Sequence, residues 1–351
     1  MFPRSRKYQQ TACRKCALSN FSNMTNDQFD FMAIGDVVTD AFIRLEDALV
    51  DKEKNLLCMR FKDKIPYKEV TVVPAVGNSA NAAVSAARLG LKTAFITNIG
   101  ADDWGKECKE VLEKEFIDTQ FIQAHKGKKT NYHYVLWFGD DRTILVKHEA
   151  YAYELPDFGE PKWVYLSSLG ENSLEYHRAI ENYLKAHPTI KFAFQPGTYQ
   201  MKFGKEVLRG LYERADFFVC NKEEAQRILG TKESDIKQLM SLMADVGPKI
   251  VVITDGQAGA YAREQAGTVW FMPPYPDPKP PYSRTGAGDA FSSTFVVFLA
   301  LGMSVEEAIS RAPINSMSVV QYVGARAGLL ARSQLEEYLI KAPVEYKPKR
   351  L

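Results

Sequence analysis

Six short apolar runs, DFMAIGDVV (30–38), TAFITNIG (93–100), KWVYLSSLG (162–170), KFAFQPG (191–197), DFFVCN (216–221) and KIVVITDG (249–256), alternate with stretches of helical periodicity. The runs are rich in β-branched and aromatic residues and are bounded by turn formers, as strands buried on both faces are. The intervening stretches NSANAAVSAARLG, DDWGKECKEVLEKEF, LEYHRAIENYLKAH, GKEVLRGLYERA and SDIKQLMSLMADVG are long enough for helices. Repeated strand–helix alternation implies parallel pairing, right-handed crossovers and helices on both faces. The expected fold class is α/β, a three-layer α/β/α sandwich around a mostly parallel central sheet.

Two segments break the alternation. Residues 41–74 and 129–148 show partial period-2 patterning, and the second holds a Gly-Asp-Asp hairpin signal. They are expected to form a small β-sheet apart from the main one. In open α/β sheets ligands bind beyond the carboxyl ends of the strands, where such a sheet acts as a lid. PPYPDPKPP (273–281) reads as a stiff connector within one domain. That domain is expected over 29–340, with a flexible N-terminal extension at 1–28 and a C-terminal tail at 341–351.

Composition narrows the partners. The 45 basic and 43 acidic residues leave a formal charge of +2, which is no footprint for nucleic acid or an anionic membrane. No apolar stretch approaches the ~20 residues of a membrane span. The first 28 residues lack the hydrophobic centre of a secretory signal. Cys13 and Cys16 form a C-x-x-C pair, but Cys58, Cys108 and Cys220 are scattered and supply no second pair for zinc. Five cysteines without a framework suit a reducing cytoplasm.

The stretch PPYSRTGAGDAFSS (280–293) precedes an apolar helix expected over Ala290–Leu301. Gly286 and Gly288 free the backbone for a tight turn, which puts a helix N-terminus and its unpaired N–H groups at the motif. Such an end receives anions. Asp289, taken alone, is either a charge–dipole partner of that helix or a functional carboxylate. Other strand ends are polar too: Gly35, Asp36 and Asp40 after the first, NKEE (221–224) after the fifth, TDGQAG (254–259) after the sixth. Singly they have plain readings, Asn221 and Glu224 as a helix cap, TDGQAG as a turn, Asp40 as a surface residue.

Together, IGDVVTD, VGNSANAAVSAARLG with NIGADDWGKE, NKEEA, VITDGQAGAY and TGAGDAFSSTF resemble the ribokinase-like (PfkB) carbohydrate and nucleoside kinases in order and spacing, over about residues 30–335. The resemblance implies a ribokinase-like fold. It implies an ATP-dependent, Mg²⁺-assisted kinase acting on a hydroxyl of a small sugar or, alternatively, of a ribonucleoside. Asp289 is then the general base, and the amides of Gly286, Ala287 and Gly288 form the anion hole. Asp40, Gly77 and Asn81 match acceptor-binding positions. Asn221, Thr254 and Gly256 match positions for the nucleotide, and Asn221 with Glu224 the motif that positions Mg²⁺. A non-catalytic nucleotide-binding protein on the same scaffold is a less favoured alternative, opposed by the intact Gly-Ala-Gly-Asp. A Rossmann oxidoreductase is disfavoured, because IGDVVTD stands where G-x-G-x-x-G is required.

Two departures matter. The family motif is usually D-T-x-G-A-G-D, and here Ser283 and Arg284 stand first. The replaced aspartate helps many relatives hold a monovalent cation, and a guanidinium beside that spot disfavours another cation. This puts a potassium requirement in doubt: Arg284 is either a plain solvent-facing arginine or takes over the cation's electrostatic role, steering the nucleotide phosphates or acting on the γ-phosphoryl. Val76 stands where relatives have the first glycine of a pair, which narrows the space beside the acceptor. Tyr132, Tyr134, Trp137 and Phe138, with His133, alternate along one expected lid strand. If one set faces the cleft a nucleoside fits; if it packs within the lid or on a homodimer partner, a free sugar fits.

Overall fold

The structure is a computed structural model and describes residues 28–139 and 141–351. The expected extension at 1–28, with Cys13 and Cys16, lies outside the described residues apart from Gln28. Among the described residues ten strands form one central sheet. Their order is Lys349–Arg350, Val269–Met272, Ala260–Arg263, Ile250–Thr254, Phe217–Asn221, Lys191–Phe194, Trp163–Leu166, Phe31–Ile34, Thr93–Gly100 and Ile122–His125. The six apolar runs occupy six consecutive positions and pair in parallel. Ile122–His125 extends the parallel part, whereas the three strands at the other edge are antiparallel. The last of these lies in 341–351, and that segment also buries Tyr346, whose hydroxyl donates to the Ser310 carbonyl at 2.6 Å.

Side-chain alternation divides each strand between two cores. Phe31 and Ala33 pack with helices Asn78–Arg88, Ala287–Ala300 and Val305–Val319; Met32 and Ile34 pack with Leu174–Ala186, Arg209–Arg214 and Ile236–Asp245. This is the expected three-layer sandwich. Helix Ala287–Ala300 is sandwiched deepest: Phe295 and Phe298 are fully buried, and truncating either to alanine costs about 3–5 kcal/mol. It begins before the apolar run does, because Gly286, at φ 83°, is its N-cap. The stretch GKEVLRGLYERA, expected as one helix, folds as one only over Arg209–Arg214. A separate helix, Thr198–Phe203, ends at Gly204, whose φ of 86° leaves the helical region.

Four strands form the lid, in the order Tyr67–Val76, Val38–Leu45, Asn131–Phe138 and Asp141–Leu145. The first lid segment starts at Val38 rather than 41, so Asp40 is part of the lid itself. A hairpin arm, Leu49–Asp51 with Leu56–Cys58, projects beside it. In the central sheet the chain runs outward on one side of Phe31–Ile34 and returns on the other side at Trp163–Leu166. The topological switch therefore lies between these neighbours, and the crevice outside their carboxyl ends is where a ligand belongs.

Candidate active site

Two cavities meet in that crevice. The larger, about 600 Å³, lies between lid and sheet, with Asp36, Asp40, Asn81, His133, Glu224 and Asp289 in its wall. The smaller, about 290 Å³, runs beneath the Pro-rich connector and is lined by Gly256, Met272, Pro274, Phe291 and Pro313. Thr254, Arg284 and Gly288 belong to both walls. The junction is thus the N-terminus of helix Ala287–Ala300.

That terminus is open. No side chain caps it, and among the described residues no oxygen accepts from the amides of Gly286, Ala287, Gly288 or Asp289. Four unpaired N–H groups and the helix dipole make an anion site facing the junction. The two glycines serve different ends. A Cβ at Gly286 would lie 2.3 Å from the Ala325 Cβ, on a backbone already at positive φ, whereas a Cβ at Gly288 would meet nothing within 4 Å and would project into open space. Gly286 makes the turn; Gly288 keeps the approach clear.

Asp289 is held by three carboxamides. Asn78 Nδ2 and Gln195 Nε2 donate to Oδ1 at 2.9 and 3.2 Å, and Asn81 Nδ2 donates to Oδ2 at 2.8 Å. The orientations are set from behind: Ser168 Oγ donates to Asn78 Oδ1, and Tyr165 and Ser292 hydroxyls donate to Gln195 Oε1. Burial pushes the Asp289 carboxyl above the usual range, the three amide donors pull it back, and the Asp40 charge adds to the upward push. A carboxylate offers about four lone-pair sites, so the fourth, on Oδ2, has no donor among the described residues. The strand end KFAFQPG marked Gln195 only as a strand terminus, and Asn78 is hidden in the same VGNSAN as Asn81. Their convergence exists only in three dimensions.

At the lid, Asp40 Oδ1 sits 3.5 Å from His133 Nδ1, and both Asp40 Oδ1 and His133 Nε2 are buried without a hydrogen-bond partner among the described residues. Asp36 accepts from Tyr153 Oη at 3.0 Å and lies 3.1 Å from His148 Nδ1. With Nδ1 turned to Asp36, His148 keeps Nε2 for the cavity, which it lines. Gly77 and Val76 line the same cavity. Gly77 adopts φ 113° with the Asp36 carbonyl 2.8 Å from where a Cβ would be, which excludes larger residues.

Asn221 and Glu224 form a reciprocal cap. Asn221 Oδ1 accepts from Glu224 N at 2.8 Å, and Glu224 Oε2 accepts from Asn221 N at 2.9 Å. Burial raises the Glu224 carboxyl above its ordinary range. Both line the larger cavity, so the cap and an exposed oxygen face coexist. Among the described residues no group of three or more His, Cys, Asp or Glu is placed to cage a metal. One carboxylate with a free oxygen fits Mg²⁺, which keeps several waters and shares its ligands with phosphates. Gly256, at φ 51°, and Thr254, at the end of its strand, frame the smaller cavity. Arg284 is exposed at the junction, and no carboxylate is paired with it among the described residues. Ser283 is buried and accepts from Thr285 N at 3.3 Å.

Every residue assigned to the site by the resemblance therefore lines one of the two cavities, Ala287 and Gly256 the smaller and the rest the larger, whereas Gly35, Ser283, Tyr132, Tyr134, Trp137 and Phe138 line neither. Residues 34–332 match the family described as pfkB family carbohydrate kinase. The chain belongs to that family. It is a phosphotransferase with an alcohol acceptor, and PfkB-family kinases use ATP with Mg²⁺. A ribokinase of Bacillus subtilis is 28% identical over 274 residues, covering 75% of this chain and 87% of that protein. In fold, the chain matches a Methanocaldococcus jannaschii nucleoside kinase, described as an archaeal member of the ribokinase family, with TM-score 0.74 and 18% identity. That match covers 90% and 99% of the two chains. An Arabidopsis thaliana ribokinase complexed with ribose and ATP gives TM-score 0.73 and 20% identity, covering 89% and 99%. No helix among the described residues is long and apolar enough to cross a membrane.

Proposed function

We propose that this PfkB-family kinase phosphorylates a small sugar held in the larger cavity, using ATP laid along the smaller one. The observation that carries this reading is the junction: two cavities share Thr254, Arg284 and Gly288, with unpaired amides on one side and the Asp289 carboxylate beside them. The acceptor hydroxyl gives its proton to Asp289 Oδ2 as its oxygen bonds to the γ-phosphorus, and the bond from that phosphorus to the bridging oxygen of ADP breaks. The amides of Gly286, Ala287 and Gly288 meet the charge on the transferring group, a preorganised arrangement that needs no covalent help. Mg²⁺, held through Glu224 and Asn221 and their waters, neutralises phosphate charge when bound. Asp40 and Asn81 orient the acceptor, and Arg284 reaches the phosphates in place of a monovalent cation.

A sugar is favoured over a nucleoside by the lid's register. Tyr132 packs against Trp104 and Tyr134, on the face opposite Asp40 and His133, while Trp137 is buried between Tyr282 and the Arg44 guanidinium. None of these lid aromatics lines the larger cavity, so the tyrosines and tryptophan of the lid offer a base no platform there. The same register supports a homodimer through the lid. Val70, Val72, Tyr134 and Leu145 share the outer face and are 48%, 39%, 48% and 52% exposed. Free Cys58, Cys108 and Cys220 support a reducing, cytoplasmic setting. ADP formation with Mg-ATP and a panel of sugars and ribonucleosides tests the function: turnover of nucleosides alone refutes the sugar reading, and no turnover with any acceptor refutes the kinase reading.

A further inference from the structure

The lid's last strand and its continuation present Arg142, Ile144, Val146 and His148 in alternation to the larger cavity. Opposite them, helix Thr198–Phe203 contributes Tyr199 and Lys202 to the same wall. The two cations are underused by the protein. Among the described residues Arg142 Nη1 approaches only the carboxylate of Asp141, its chain neighbour, at 3.3 Å, and that carboxylate is 75% exposed, a pairing of little strength. Arg142 Nε is buried with no acceptor among the described residues, a costly state for a donor. Among the described residues no carboxylate pairs with Lys202. Its ammonium lies 4.9 Å from the Tyr199 ring centroid, and Tyr199 in turn packs edge-on against His148 at 5.7 Å, which keeps the charge along the cavity wall. Of the carboxylates in the same wall, Asp36 is engaged by His148 and Tyr153, and Asp40 faces His133. Neither cation serves the transfer itself, whose charge is met by the amides of Gly286–Gly288 and by Arg284.

We propose that the sugar acceptor carries an anionic group, a carboxylate or a phosphate monoester, and that Arg142 and Lys202 receive it while His148 Nε2 accepts from a sugar hydroxyl. This rests on the kinase reading above and names its substrate class. A guanidinium matches a planar or trigonal array of oxygens in two-pronged fashion, and a lysine adds a point charge. Arg142 comes from the lid and Lys202 from the body, so an anion between them links the two.

Matched acceptors test it, with Mg-ATP and ADP formation as the readout: glucose against gluconate, galactose against galactonate, ribose against ribose 5-phosphate, fructose against fructose 6-phosphate. At least one anionic member is expected to exceed its neutral partner at least about tenfold in kcat/KM, the effect of one charged hydrogen bond. Preference within the first two pairs identifies a carboxylate, and within the last two a phosphate. In Arg142→Gln and Lys202→Ala the anionic-to-neutral ratio falls at least about tenfold, and in Arg142→Lys it partly recovers. Neutral sugars or nucleosides turned over as well as or better than every anionic member overturn the proposal while leaving the kinase standing, as does a ratio unchanged in the variants. Thermal shift gives a readout without turnover. With a non-hydrolysable ATP analogue and Mg²⁺ present, an anionic member should protect the wild type further and Arg142→Gln less. Protection by the analogue with none from any anionic acceptor overturns the proposal alone, whereas no protection by the analogue itself removes the kinase reading as well.

Discussion

Asn81 donates its amide to Asp289 Oδ2 at 2.8 Å, across 208 positions of sequence and between two different helices. The bond ties the head of the first long helix to the first turn of the buried one, and it fixes which carboxylate oxygen stays available. Substitution of Asp289 by asparagine keeps the shape and removes the base. Turnover should fall at least about 10²-fold, while the dissociation constant for Mg-ATP, read by calorimetry, should change by less than about threefold. A comparable loss of nucleotide affinity would place Asp289 in nucleotide binding instead.

The carboxamide ring around Asp289 also sets its titration. Amide donors favour the charged form, so removing one raises the carboxyl pKa further. Transfer requires the ionised form, hence activity is lost as pH falls through that pKa. In Gln195→Ala the acid limb of the kcat–pH profile should therefore shift to higher pH relative to wild type. A shift to lower pH, or none, would show that Gln195 does not hold the base.

Gly286 and Gly288 should fail in different ways. Gly286→Ala meets Ala325 on a backbone at φ 83°, and melting should report a loss of about 1–3 kcal/mol. Gly288→Val has free space and should melt near the wild type, yet its side chain enters the route of the phosphoryl and turnover should collapse. Equal melting and equal activity losses in both variants would remove the distinction.

Arg284 stands where the potassium-dependent motif has threonine, beside Ser283 in place of aspartate. Turnover should be the same in potassium and in tetramethylammonium buffers, and Arg284→Ala should lower kcat/KM for ATP at least about tenfold. Strong activation of the wild type by potassium would end the idea that the guanidinium has taken over the cation's role.

The outer lid face predicts assembly. Light scattering should give a dimer of the 39.6 kDa chain, and Leu145→Lys with Val70→Glu should give monomers, because each puts a charge on the exposed apolar face. A wild-type monomer at micromolar concentration would leave that face without a role in self-association.

The six buried strands were legible because a strand covered on both faces must be apolar throughout, and the stretch around Asp289 because glycines there have few other uses. Ala260–Arg263 and Ile122–His125 were not, since these four-residue, partly buried strands lack that continuous apolar signal. The direction of Tyr132 and Tyr134 depends on pairing register, and a single-residue slip would reverse it. Asn78 and Gln195 come from separate strand ends brought together by topology, which no local pattern records. That the Pro-rich stretch at 273–281 serves as a cavity wall follows only from where helix Val305–Val319 lies.

Asp289 sits on the first turn of a helix whose remaining length is embedded between the sheet and a second helix, whereas Asp40, His133 and Arg142 ride on a thin appended sheet. Amide exchange should accordingly be slowest behind the base and fastest around the acceptor. Substitutions that retune what is accepted can accumulate in the appendage without touching the anvil on which the phosphate is moved, and a lineage carrying this architecture can change diet without relearning its chemistry.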